Sequence, residues 1–560
     1  MRGQSAIAVL LLTACTTHAP PSGPEPACPV VEPARAARAP SPAATKPRLV
    51  VWLTIDQLRG DSFARFSHLI SPDGFGHLLS RGLYFSVATY AHAITETAPG
   101  HATLFTGASP RDHGIVSNEW LDAAGQVRTS VTDENAPLVG PELDPSESVP
   151  EAGRSPRQLL LPTLGDTLRQ VSLGRSKVAS VSLKDRGSIL PAGRSGQAFW
   201  LGKKGFVTSA YYSREVPALL ADHHRAHPPS SYLGEDWSLS RDEASYRSSL
   251  VRAPLGARKV GFPHRAKDAL SPTAWLKSTP FGDVATIDLA EEIVVTQALG
   301  ADDVVDLLSV SLSCTDYVGH AYGPESRESE DTFARLDRLL ARFFAFLADR
   351  VGEPSILYVL SADHGISETP ESQRDAGLPS GRMAPEELEH AARQSLTQSL
   401  GSDRFLLGVS PPGIFLDQAA IARTGKDLTL VRRRLAHDIE LVKGVYSAFP
   451  LDGVADRSEL GQLVWDASRE GRSGDVYVVL APHLQFEDEG LAASHGSPWF
   501  SDRHVPIVLS GPGVPAGIVR RPVDVRALAG SVADLLGVPA PAGSSGERLL
   551  SASSALQPGD

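Results

Sequence analysis

Three cysteines serve a chain of 560 residues, and two of them, Cys15 and Cys28, lie in its first thirty. With Cys314 left alone in the middle, a disulfide framework is excluded. Basic tracts are missing as well. Lys+Arg 53 against Asp+Glu 65 leaves a formal charge of −12, which argues against non-specific nucleic-acid binding. Any anion site must then be built from a few local cations. The apolar run Ala6–Leu12 is too short to span a bilayer as a mature helix. Composition is otherwise ordinary, with 42% hydrophobic and 21% charged residues, and the length allows a large core carrying insertions.

The N-terminus reads as a processing segment. Arg2, Ala6–Leu12 and Leu12-Thr13-Ala14-Cys15 form a short signal peptide ending in a lipoprotein cleavage box. Residues 1–14 are expected to be removed and Cys15 to carry lipid, the alternative being an ordinary signal peptide that contains a cysteine. Residues 15–47, rich in Pro, Ala and Ser, suit a tether. Thr16 gives no inner-membrane retention signal, pointing to an exported, outer-membrane-anchored monomer. The expected catalytic domain spans 48–550, with insertions at about 187–301 and 366–472, and a tail covers 551–560.

Several apolar runs end in chemistry-bearing residues. Leu49–Ile55 runs into Asp56, and Ser355–Ser361 into Ala362-Asp363-His364-Gly365. Asp303–Ser313 leads to Cys314-Thr315-Asp316-Tyr317-Val318-Gly319-His320. Continuous apolar runs are the mark of strands buried on both faces of a parallel sheet, and ligands gather at the carboxyl ends of such strands. Lys177–Leu183 is a further strand running out into Lys184-Asp185-Arg186; if extended, Lys184 and Arg186 project to one face. Two cations there suit a dianion. Helices are expected over Leu159–Arg169 and Glu325–Val351, and further strands at Asp475–Ala481 and Val505–Leu509. The scattered aromatics Trp200, Tyr211, Tyr212, Trp237 and Trp275 read as the small core of the first insertion.

Thr97 stands just ahead of a Pro-Gly break and an apolar helix, in Thr97-Ala98-Pro99-Gly100-His101-Ala102-Thr103. A threonine there is ordinarily a helix cap, but a helix N-terminus also favours phosphate. Asn118 could donate its amide to an oxyanion. Asp56, Thr97, Asp316, His320, Asp363, His364 and His495 together offer oxygen and imidazole ligands without thiolate, a donor set that matches zinc in an open site. They are too many for one tetrahedral ion and enough for two. A pair of ions can clamp both the attacking and the leaving oxygen of an in-line displacement.

The segments "TID", "TAPGHATLFTG", "HGIVSNEW", "SLKDRGSILPAG", "SCTDYVGHAYGP", "SADHG" and "SHGSPWFSDRHVP", in that order, make the chain resemble the alkaline phosphatase superfamily. Within it, the chain is similar to the phosphate-irrepressible enzymes with a threonine nucleophile. The resemblance implies an α/β fold with a central, mostly parallel sheet flanked by helices and carrying cap insertions. It implies two Zn2+ ions, one held by Asp316, His320 and His495, the other by Asp56, Asp363 and His364 with Thr97. Asn118, Lys184 and Arg186 would hold the phosphate oxygens of small-molecule phosphate monoesters. Thr97 would attack phosphorus to give a phosphothreonyl intermediate, which a zinc-bound hydroxide hydrolyses. Ala98 replaces the glycine of the family motif, and His504 is expected to be structural.

Phosphodiesterases and nucleotide pyrophosphatases of the superfamily share the metal ligands, the threonine and the asparagine, but typically lack the Lys/Arg pair. A monoester carries nearly two charges and a diester one, so Lys184 and Arg186 favour the monoester. The absence of an Arg in the nucleophile motif disfavours a sulfatase, and export disfavours a phosphoglycerate mutase.

Overall fold

A computed structural model describes residues 46–141, 152–248, 260–453, 457–487 and 490–550. The signal peptide, Cys15, nearly all of the tether and the tail lie outside the described residues. No helix among the described residues is long and apolar enough to cross a membrane.

Eleven strands form the central sheet: β1 (Leu49–Ile55), β2 (Leu83–Thr89), β3 (Leu138–Val139), β4 (Val178–Ser182), β5 (Gln197–Leu201), β6 (Phe206–Ser209), β7 (Asp306–Leu312), β8 (Ile356–Ser361), β9 (His504–Ser510), β10 (Gly517–Val519) and β11 (Val523–Asp524). Their order is β10-β2-β9-β8-β1-β7-β4-β5-β6-β3, with β11 added to β2. The run β8-β1-β7-β4-β5 is parallel. On one side β9 inserts antiparallel between β8 and β2, and on the other β6 and β3 continue antiparallel. The sheet is therefore mixed, with a parallel centre. Every residue of β1, β4, β7 and β8 is buried, as two-sided coverage by helices requires. Thr54 pairs with Ser311 and Ser361, so the strands emerge at one common level.

The covering helices include α1 (Thr97–Thr106), α2 (Asp185–Ala192), α3 (Phe281–Thr296), α4 (Cys314–Tyr322) and α5 (Arg327–Arg350). In α5, Phe333, Leu336, Leu340, Phe343, Phe344 and Leu347 form a stripe buried in the main core. Ser326 caps its first turn by accepting from Ser329 N–H at 3.1 Å. The helix expected from Leu159 begins at Leu164 instead. Pro162 lacks the N–H needed to continue a turn, and Thr163 with Asp166 closes a capping box at the new start.

The first insertion is narrower than 187–301. Strands β5 and β6, followed by α3, belong to the central body. Even the described residues between Ser209 and Phe281 are tied to that body through Leu220 and Leu276, while Trp237 and Trp275 pack with Val318, Ala321 and Tyr322 of α4. Trp200 and Tyr212 pack in a separate cluster around Ile189 and Leu190. The second insertion reaches further than 472. It holds a four-stranded antiparallel sheet in the order Leu406–Ser410, Gly413–Leu416, Val476–Leu480, Val445–Pro450. Helices Pro385–Leu400 and Leu428–Glu440 cover it with an apolar core of their own. Tyr477 and Val479 point to the other face and pack with Ala93 and Ile94 near the start of α1.

Candidate functional site

Four neighbouring strands, β8, β1, β7 and β4, deliver their carboxyl ends to one place, the position at which an open α/β sheet binds ligands. Asp56 follows β1; Asp363 and His364 follow β8; all three are fully buried. Helix α4 starts two residues beyond β7, and its Asp316 and His320, one turn apart, share a face. His495 comes from a loop 175 residues further on, bound to α4 and to the chain ahead of α1. Ala492 N–H donates to His320 O at 2.7 Å, while His320 Nδ1 meets Ala493 O and His495 Nδ1 meets Thr95 O, each at 2.7 Å.

These six side chains form two triads, each with its ligand atoms within 4.8 Å of one another. In one, Asp316 Oδ1 lies 3.2 Å from His320 Nε2 and 3.5 Å from His495 Nε2. In the other, His364 Nε2 lies 3.4 Å from Asp56 Oδ1 and 3.7 Å from Asp363 Oδ2.

The donor set fits divalent cations on three observations. Asp56 Oδ1, Asp363 Oδ2 and His364 Nε2 are buried without a hydrogen-bond partner, a costly condition unless another charge satisfies them. His320, His364 and His495 each place Nδ1 against a backbone carbonyl. A carbonyl only accepts, so the N–H sits on Nδ1 and each Nε2 presents a lone pair to the site, the arrangement that metal-binding imidazoles use. Two such lone pairs, on His320 and His495, stand 3.1 Å apart; they repel unless a cation lies against both.

Charge in the pocket is unbalanced in the same sense. Burial, then the neighbouring Asp316 and Asp363, raise the Asp56 carboxyl well above the usual range. Burial also lowers His364, and it brings His495 down to about 4 with help from His364. Burial raises the Asp316 carboxyl, but the Lys184 ammonium beside it holds it well below the usual carboxylate range.

Thr97 is the first residue of α1, with Glu96 in the capping position and no side-chain cap. Its hydroxyl is therefore not spent on the helix; it accepts from Lys184 Nζ at 3.2 Å. Lys184 Nζ also lies 2.6 Å from both Asp316 Oδ2 and Asp56 Oδ2, the latter a charge contact without hydrogen-bond geometry. Although burial disfavours this ammonium, Asp316 and Asp56 outweigh it and keep it charged.

Lys184 and Arg186 reach the site by a different route from the extended alternation expected of them. Strand β4 ends at Ser182, Lys184 is the extended residue before α2, and Arg186 already lies in the first turn of α2. Asp185 turns aside to Arg154 at 2.7 Å, and Arg186 Nε is buried without a partner. Asn118 Oδ1 accepts from Ala98 N–H at 2.9 Å, so its amide protons face away from that bond. His504 is turned elsewhere: its Nε2 meets Ser86 O at 2.9 Å and its ring stacks on Phe500.

Three residues of the site carry no role in the sequence reading. Glu96 Oε2 accepts from Asn118 N–H at 2.6 Å and Ser117 Oγ–H at 2.8 Å, fixing the Asn118 segment. His101 Nδ1 lies 2.8 Å from Thr97 O and 3.2 Å from Asp363 Oδ2, and its Nε2 lies 2.9 Å from Ser311 Oγ. Gln57 touches both triads. The one available signal was the Pro-Gly-His of the α1 segment: a Cβ on Gly100 would meet Asp363 O at 2.1 Å, so only glycine permits this approach of α1 to the strand end.

With this geometry in hand, comparison with known proteins is informative. Residues 50–501 match the model of the type I phosphodiesterase / nucleotide pyrophosphatase family. Alkaline phosphatase PafA of Elizabethkingia meningoseptica is 32% identical over 523 residues, covering 90% of this chain and 94% of that one. Alkaline phosphatase PhoV of Synechococcus elongatus is 31% identical, covering 90% and 92%. The crystal structure of wild-type PafA superposes with a TM-score of 0.83 at 30% identity, covering 91% of this chain and 99% of that one. A solved PafA variant, equally similar, is altered at a threonine, an asparagine, a lysine and an arginine.

Proposed function

The chain belongs to the type I phosphodiesterase / nucleotide pyrophosphatase family, within the alkaline phosphatase superfamily, and from that premise we propose that it is a zinc-dependent phosphomonoesterase. Its substrates are small-molecule organic phosphate monoesters and its product is inorganic phosphate. The observation that carries this reading is Lys184, whose Nζ lies 3.2 Å from Thr97 Oγ1 and 2.6 Å from Asp316 Oδ2, with Arg186 in the first turn of α2 and its Nε buried without a partner. A monoester brings nearly two negative charges, and two cations beside the nucleophile answer them. The PafA variant altered at a threonine, an asparagine and a lysine and arginine two apart supports the same quartet here: Thr97, Asn118, Lys184 and Arg186.

Asp316, His320 and His495 would hold one zinc ion, and Asp56, Asp363 and His364 the other. Bound zinc supplies positive charge at the attacking and leaving oxygens. Thr97 Oγ, presented at the start of α1, gives up its proton to solvent and attacks phosphorus as the bond to the leaving oxygen breaks; that oxygen takes a proton from water, and a second water cleaves the phosphothreonyl ester to inorganic phosphate and the free hydroxyl. Lys184, 3.2 Å from Thr97 Oγ1, is a fixed cation at the nucleophile. Arg186 and the Asn118 amide take the remaining phosphoryl oxygens. His101, bonded to Thr97 O, holds the first turn of α1 in place.

The name of the family model favours a second reading, a phosphodiesterase. One experiment separates the two: the zinc-loaded protein, with and without Lys184→Ala/Arg186→Ala, assayed on an aryl phosphate monoester and the matching diester. Loss of donors to a developing oxyanion costs about 10²–10³ each. We expect the wild type to prefer the monoester and the double variant to lose monoester kcat/KM by at least that factor, with diester turnover changed little or raised. A wild type that prefers the diester, with a double variant barely different, establishes the phosphodiesterase instead. The same reading takes the enzyme to be exported and lipid-anchored through Cys15, which mass spectrometry of the membrane-extracted protein tests.

A further inference from the structure

Gln57 is the residue immediately after Asp56, and its backbone is left-handed, with φ +68°. Few non-glycine residues take that conformation, and those that do cluster at functional sites. A turn needing only a tight exit from β1 would be better served by glycine. The glutamine is accounted for by what it touches. Its N–H donates to Asp363 Oδ1 at 3.2 Å, and its side-chain Nε2 donates to Asp316 Oδ1 at 2.8 Å. Asp363 belongs to one triad and Asp316 to the other, so a single residue bonds a carboxylate of each.

A second position is shaped around the same side chain. Gly319 lies inside α4, between Asp316 and His320, where glycine weakens a helix relative to alanine. A Cβ there would stand 1.9 Å from Gln57 Oε1, and the three nearest atoms all belong to Gln57. The helix accepts a poor helix former at the one place where the carboxamide of Gln57 lies against it.

We propose that Gln57 is a positioning residue that orients one carboxylate of each triad, so that the two metal sites fill as a unit. The inference rests on the reading that both triads bind metal. Partners that hold metal ligands in place typically set metal affinity by about 10–100-fold.

The test is calorimetric titration of the chelator-stripped protein with zinc chloride, alongside thermal unfolding of the same metal-free samples. Gln57→Gly keeps the N–H that serves Asp363, relieves the left-handed backbone and removes only the bond to Asp316. We expect the wild type to take up two zinc ions in one cooperative transition. Gln57→Gly should load in two separated steps, one ion bound about 10–100-fold more weakly, with metal-free stability unchanged or raised. Gly319→Ala, which displaces the carboxamide, should reproduce the weakened step. Added to Gln57→Gly, it should cause no further loss, because the atoms it would strike are gone.

Zinc uptake by Gln57→Gly indistinguishable from wild type overturns the proposal. So does a loss of metal-free stability with zinc affinity intact, the signature of a merely structural role. A wild type that binds no zinc overturns the metal reading itself, and this inference with it.

Discussion

The two triads are alike in donors and unlike in construction. Asp56, Asp363 and His364 follow adjacent parallel strands and are wholly inaccessible. Their backbone is fixed by the register of β1 and β8, which no side chain needs to maintain. Asp316, His320 and His495 are drawn from a helix and a distant loop. The side chains of the two histidines keep 17% and 8% exposure. Their geometry depends on three loop bonds, from Ala492, Ala493 and Thr95. A sheet-borne site is rigid by construction, whereas a helix-and-loop site is held by contacts that open one by one. If both triads bind metal, the contrast bears on how fast each lets its ion go, not on whether the two fill together at equilibrium: release from the sheet-borne triad should be the slower.

Removing the proposed nucleophile gives the largest effect that sharpens this contrast. The first turn of α1 abuts Asp363 through Gly100 and His101, which ties the backbone that carries Thr97 to the buried triad. Thr97→Ala should lower turnover of an aryl monoester by about 10⁴ or more, in line with the loss of other catalytic nucleophiles. Zinc content measured by elemental analysis should remain two per chain, and Thr97→Ser should keep a substantial part of the activity. Loss of a zinc ion in Thr97→Ala would instead place the hydroxyl among the structural ligands and blur the distinction.

The support beneath the buried side should respond to acid. His113 Nδ1 accepts from Ile115 N–H at 3.1 Å, so its Nε2–H donates to Thr103 Oγ1 at 3.1 Å, and that hydroxyl lies 3.3 Å from His92 Nε2. Burial, then Arg526, brings His92 down to about 3; burial, then His92, lowers His113 well below its ordinary value. Both are neutral in the fold, whereas in the unfolded chain imidazole titrates near 6.5. Above that pH neither state binds the proton and the full stability is present. Below about 6.5 the unfolded chain binds protons that the fold refuses, so stability falls as pH drops, for His92 down to about 3 and by about 1.4 kcal/mol per pH unit, with His113 adding in the same direction. Urea unfolding of the metal-free protein should show this slope, and His92→Gln should flatten it.

The parts of this architecture that could be read from the chain are those fixed by local pattern. The apolar runs ending at Asp56 and at Asp363-His364 are strands because two-sided burial leaves no polar alternation, and Asp316 and His320 share a face by helical spacing alone. What escaped was set by distant partners. Gln57 meets Asp316 across 259 residues, and His101 meets Ser311 across 210; neither distance leaves a mark in local sequence. Strands β5 and β6, only five and four residues long, were hidden among scattered aromatics. Lys184 and Arg186 were paired for a reason that fails, since the strand stops at Ser182 and a helix begins at Asp185. Between them Asp185 is drawn off to Arg154, a contact 31 residues away that local sequence does not show.

The smallest effect bears directly on the contrast itself. If the buried triad is released only when strand ends separate, while the other opens with its loop, a chelator should remove the two zinc ions at different rates. Opening of a loop needs far less free energy than opening of a buried sheet, so we expect two phases in stopped-flow zinc release, at least about tenfold apart. The fast phase should be hastened by Thr95→Val. Thr95 Oγ1 donates to Ser497 O at 2.9 Å and accepts from Gly496 N–H at 3.2 Å, and valine abolishes both bonds while leaving Thr95's carbonyl role to the backbone. The slow phase should move less, because Asp56 and Asp363 are held at the ends of β1 and β8, although the His364 ring stacks on His495 at 3.7 Å. A single phase in the wild type, or equal acceleration of both in the variant, would mean that the triads open together and that burial does not set the order of release.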